Sequence, residues 1–141
     1  MANAARQEID ITFDGKVYAV RPTFEVVSAI ESATGQACSA LAWKFFAVEP
    51  ANYASLTETG TVLYQALRPV MGDKITPALV GERLMEEGCT PFWHSLGMLC
   101  SRALRGNAEH VRMAMKEIED AEAAKRGVEN PPLAETQNQQ D

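Results

Sequence analysis

The chain has 141 residues, 46% of them hydrophobic, three cysteines and a formal net charge of −6. That is enough for one domain with one core, and no run of about 18 apolar residues exists to form a membrane-spanning helix. The acidity argues against nonspecific binding to nucleic acid or to an anionic membrane, since phosphate contacts need clustered Lys and Arg. The opening residues, Met1-Ala2-Asn3-Ala4-Ala5-Arg6, lack the apolar core of a signal peptide. With an odd number of cysteines, free thiols in the cytoplasm are expected. Residues 1–7 read as a flexible N-terminus.

In chain order, residues 8–21 predict a β-hairpin. Asp14-Gly15 is a strong two-residue turn, because such a turn needs φ > 0 at both positions. The register around it pairs Ile9 with Val20, Ile11 with Tyr18 and Phe13 with Lys16. Ile9, Ile11, Phe13, Tyr18 and Val20 then share one face, and Asp10, Thr12, Val17 and Ala19 the other. An isolated hairpin is marginal in water, so its apolar face must lie on the helices that follow or on a partner.

A first helix is expected from Phe24 to Thr34, capped by Thr23 and ended by Gly35, with Val26, Val27, Ile30 and Ala33 buried. A second should run from Ala40 to Val48, capped by Ser39 and stopped before Pro50. It is apolar almost all round, with Leu41, Trp43, Phe45, Phe46 and Val48 and only Lys44 polar. Such a helix is either deeply buried or covered by a partner.

Ser55-Leu56-Thr57-Glu58 is a capping box that opens a third helix, with Val62, Leu63, Ala66, Leu67 and Val70 as its stripe and Pro69 kinking or ending it. Thr76-Pro77 starts a fourth helix that ends at Gly88. Thr90-Pro91 starts a fifth, ending near Gly106, with Phe92, Leu96, Leu99, Cys100 and Ala103 inward. A sixth, acidic helix covers residues 106–127, with a thin stripe of Val111, Ala114, Met115, Ile118 and Ala121. Residues 106–141 hold eight acidic and four basic residues. The polar end, residues 128–141, reads as a disordered tail. The expected fold is therefore α+β and mostly α: a hairpin packed on five to six short helices.

No reacting constellation emerges. Cys89, His94 and Cys100 include two zinc-ligand types, but six residues on a helix turn His94 about 240° from Cys100. Five residues on a helix turn Cys89 about 140° from His94, while pairings with Cys38 or His110 across the fold stay open. The carboxylates Glu86-Glu87 and Glu117 to Glu122 read as solvated helix faces. No catalytic, cofactor or metal residues are assigned, and the chain is not expected to be an enzyme. The fourth and fifth helices could mimic a helix-turn-helix. The fifth, however, would present Phe92 and Trp93 where a recognition helix needs polar groups.

Protein binding suits the sequence better. The hairpin has strand edges near Val17 and Ala19, and edges pair readily with other chains. Trp43, Phe45, Phe46 and Trp93 are residue types enriched at interface centres, although plain core packing also accounts for them. The same surfaces allow a homo-oligomer.

Several stretches resemble one family. Ile9-Asp10-Ile11-Thr12-Phe13-Asp14-Gly15-Lys16-Val17-Tyr18-Ala19-Val20-Arg21-Pro22-Thr23-Phe24 resembles the start of the tail assembly chaperones of gene transfer agents and related long-tailed phages. Ile30-Glu31-Ser32-Ala33-Thr34-Gly35 is similar to the end of that family's following helix. Ile75-Thr76-Pro77-Ala78-Leu79-Val80-Gly81-Glu82 and Met85-Glu86-Glu87-Gly88 resemble its later helix pair. The resemblance covers residues 8–105 and implies a morphogenetic role in the host cell's cytoplasm. Such a protein binds the long helical tape-measure protein, helps recruit tail-tube subunits and is absent from the finished particle. It implies no catalytic residues. The alternatives are a structural or adaptor component of the tail, or a small helix-turn-helix-like regulator.

Overall fold

In a computed structural model, placement is described for residues 8–129, with the side chains of 105–111, 114 and 127–129 excepted. Residues 1–7, expected to be a flexible N-terminus, and residues 130–141 of the tail expected over 128–141 lie outside the described residues. The fold is α+β and mostly helical, and the chain divides into two units after Asn107.

The hairpin forms with the register the sequence dictates. β1 (Ile9–Phe13) pairs antiparallel with β2 (Lys16–Val20), with Ile9 opposite Val20 and Phe13 opposite Lys16. Asp14 and Gly15 take φ values of 55° and 78°, the left-handed pair that a turn of matching twist requires. Ile9, Ile11, Phe13 and Val20 are buried and Tyr18 is half-buried against the same core. The turn is held from outside as well, by Arg83 Nε donating to Asp14 Oδ1 at 2.9 Å.

α1 (Phe24–Thr34) starts where Thr23 Oγ1 accepts from the Val26 N–H and stops at left-handed Gly35. Its buried residues are Val26 and Ile30, with Val27 half-buried; Ala33, expected on the stripe, is exposed. α2 (Cys38–Phe45) begins and ends earlier than the sequence suggests. Its N-terminus is satisfied from a distance: Glu31 of α1 accepts from the Cys38 N–H at 2.9 Å, and Ser39 lies inside the helix. A carboxylate there answers both a free donor and the positive end of the helix. No local motif announces a cap borrowed from another helix.

α3 (Leu56–Met71) carries the full capping box between Ser55 and Glu58. It runs through Pro69 for two further residues, and Val70, expected inward, is exposed. α3 is the central helix: it lies against α1, α4 and β2, and buries Thr59, Val62, Leu63, Ala66 and Leu67. α4 (Pro77–Glu87) is capped by Thr76 and closed at Gly88.

The fifth and sixth helices expected from the sequence are one, α5 (Thr90–Glu129). Gly106 costs a helix interior only about 1 kcal/mol relative to Ala, and the following residues are strong helix formers, so the helix carries through. In the first unit α5 buries Phe92, Leu96, Leu99 and Cys100. In the second unit Met115, Ile118 and Ala121 are all exposed, so the three described members of the thin stripe are not buried. Val111 and Ala114 lie outside the described side chains. Among the described residues, no helix is long and apolar enough to cross a membrane.

Candidate protein-binding surface

Two regions hold the residues singled out from the sequence. The first is the hairpin. In a register closed by Phe13 and Lys16, the backbone groups of Asp10 and Thr12 point outward from β1, and those of Val17 and Ala19 outward from β2. The β1 edge is taken at two carbonyls. Ser95 Oγ donates to the Asp10 carbonyl at 3.2 Å, and Arg102 Nη1 donates to the Glu8 carbonyl at 2.7 Å. Ser95 and Arg102 are seven residues apart, two turns of α5, and so share a face. Burial lowers the Arg102 guanidinium below its ordinary pKa. The β2 edge is the more open of the two edges expected. Val17 is exposed there, Ala19 is half-buried, and among the described residues no hydrogen bond reaches their outward backbone groups.

The second region is built on α2. Its inner face, Leu41, Ala42 and Phe45, is in the core. Phe45 is 2% exposed and so leaves the set of surface candidates: α2 spends it on the core, because its 100° periodicity turns residues 41, 42 and 45 to one side. Trp43 and Phe46 face outward, 62% and 44% exposed, followed by Val48 at 98% and Tyr53 at 49%. Large apolar side chains gathered at one exposed place mark interaction surfaces more often than scattered ones do.

These side chains are held in place. The Trp43 and Tyr53 rings meet edge to face with centroids 4.8 Å apart. Pro50 sets this up, because it opens a short 3-10 turn, Pro50–Asn52, that brings Tyr53 back beside α2. Phe46 lies against α5, edge to face with His94 at 5.8 Å. A Cβ on Gly97 would sit 2.8–3.0 Å from its ring, so only glycine leaves room for Phe46 there. Lys44, the polar residue of α2, is tied down by Glu58 at 2.8 Å and Gln36 at 2.6 Å, and Gln36 also donates to Glu58.

The result is a cavity of about 710 Å³ whose walls include Trp43, Phe46, Val48, Glu49, Tyr53 and Leu104. A second opening, of about 530 Å³, lies on the other side of the Val48-Glu49 ridge and includes Trp93 and His94. Trp93 is half-buried and its Nε1 donates to the buried Thr59 Oγ1 at 3.1 Å, so its indole closes the polar account of α3 as well as lining that opening. Sequence reasoning missed Tyr53, Val48, Glu49 and Leu104. The signal was Pro50 followed by a tyrosine three residues on, read only as a helix stop.

The thiols fall apart in space. Cys38 and Cys100 are fully buried and hydrogen-bonded, a pairing across 62 residues that no local spacing could show. The bond to Cys38 and burial raise the Cys100 thiol well above its ordinary pKa, while the bond from Cys100 lowers that of Cys38. Cys89 is half-buried and His94 is exposed. Among the described residues, no group of three or more His, Cys, Asp or Glu could hold a metal ion.

No family model, curated protein or solved structure matches the chain.

Proposed function

We propose that this chain is a tail assembly chaperone of the kind found in gene transfer agents and related long-tailed phages. Its client would be the tape-measure protein, kept soluble until tail-tube subunits are recruited. The observation that carries the reading is the open aromatic groove on α2. Trp43, Phe46 and Tyr53 stay outside a core that accepts Phe13, Phe45 and Phe92 without difficulty. The resemblance of the hairpin and helix stretches supports this family, and the groove is consistent with a long apolar-seamed helix as client. A rim of exposed aromatics gives a modest, releasable interface, as a client destined for a finished tail requires.

The test is co-expression with a tape-measure protein from the same genome. A soluble, co-purifying complex and loss of tails on deletion are expected. No complex and normal tails would end the proposal. Presence of the chain in purified particles would favour a structural or adaptor component instead.

A further inference from the structure

Resting on the reading of the α2 surface as a client groove, we propose that it selects helices carrying a lysine or arginine on their apolar face, the cation seated between Trp43, Tyr53 and Glu49. Three observations carry this. The Trp43 and Tyr53 rings meet edge to face at 69° and both stay exposed, so π-surface is left beside their contact for a cation to approach. Glu49 lines the same cavity and, among the described residues, its carboxylate makes no hydrogen bond or ion pair. Among the described side chains no lysine or arginine is in the lining, and the one cation of α2, Lys44, is already bound to Glu58 and Gln36. Among the described side chains, the cavity therefore holds a carboxylate and exposed aromatic rings with no cation to pair with them.

The rest of the lining fits the remainder of such a ligand. Phe46, Val48 and Leu104 are apolar and exposed, a surface for the aliphatic stem of a lysine and for its helical neighbours. A neutral seam would leave Glu49 facing apolar groups; an acidic one would repel it. The chain's net charge of −6 favours a cationic partner before contact as well.

The experiment titrates the full chain by calorimetry with three 18-residue helical peptides of leucine–alanine seam. They differ at one central seam position: lysine, norleucine or glutamate. The lysine peptide should bind about tenfold more tightly than the norleucine peptide, with glutamate weakest, and added salt should narrow the gap. Glu49→Gln should remove most of the lysine preference, bringing the lysine and norleucine affinities close together, while leaving thermal stability unchanged. Tyr53→Leu should narrow the ratio of lysine to norleucine affinity, with folding checked by circular dichroism. Equal binding of the lysine and norleucine peptides, or a preference that survives Glu49→Gln, overturns the proposal, as does the absence of any peptide binding. Lysine selectivity without a tape-measure complex would instead sink the chaperone reading and leave the cation site standing.

Discussion

The hairpin and the α2 surface are made of similar residues and end differently. At the hairpin, aromatic and β-branched side chains go inward, and α5 seals the β1 edge with Ser95 and Arg102. At α2, three aromatic rings stay outward and are braced there by each other, by His94 and by the space over Gly97. The same fold that buries an arginine to close a strand edge leaves a tryptophan open. The difference is one of arrangement, since the core has room for Phe45 from the very helix that exposes Trp43 and Phe46.

That contrast can be broken by substitution. The largest effect is expected at the hairpin. Phe13→Ala should cost about 3–5 kcal/mol, seen as a large fall in thermal midpoint by circular dichroism. Arg102→Met should cost about 1.5–3 kcal/mol in urea unfolding, because the Glu8 carbonyl loses a charged donor. Trp43→Ala removes an exposed ring and one edge-to-face contact, so about 0.5–1.5 kcal/mol is the expected loss, with client binding abolished. If Trp43→Ala destabilised the chain as much as Phe13→Ala, the two regions would be doing the same job. Gly81→Ala, inside α4 with nothing within 4 Å of the new methyl, should stabilise by about 1 kcal/mol and leave binding unchanged. The thiols sharpen the picture further: in the native state Cys89 should react with a thiol reagent well before Cys38 and Cys100, which should wait for unfolding.

Much of this fold is legible in local sequence. Asp14-Gly15, Thr23 with Gly35, the Ser55–Glu58 box and Thr76-Pro77 each fix an element through chemistry within four residues. What escapes is whatever depends on distance. Glu31 caps a helix seven residues away, Cys38 finds Cys100, and Ser95 and Arg102 occupy a strand edge that the sequence leaves open. Gly106 reads as a stop because glycine often is one, yet nothing at that position forces the chain out of the helix. The site was half visible. Trp43 and Phe46 stood out by residue type, and Phe45 with them, but only packing separates the one that goes inward. Tyr53 and Glu49 join the groove through the turn at Pro50, which a periodicity argument does not see.

The most direct test is the affinity of the tape-measure protein for the wild-type chain and for Trp43→Ala, measured on samples whose folding is first checked by circular dichroism. A folded variant that binds at least about tenfold more weakly is the result expected for an aromatic at the centre of an interface. A folded variant that binds as tightly as wild type would show that the α2 groove is not where this protein meets its client.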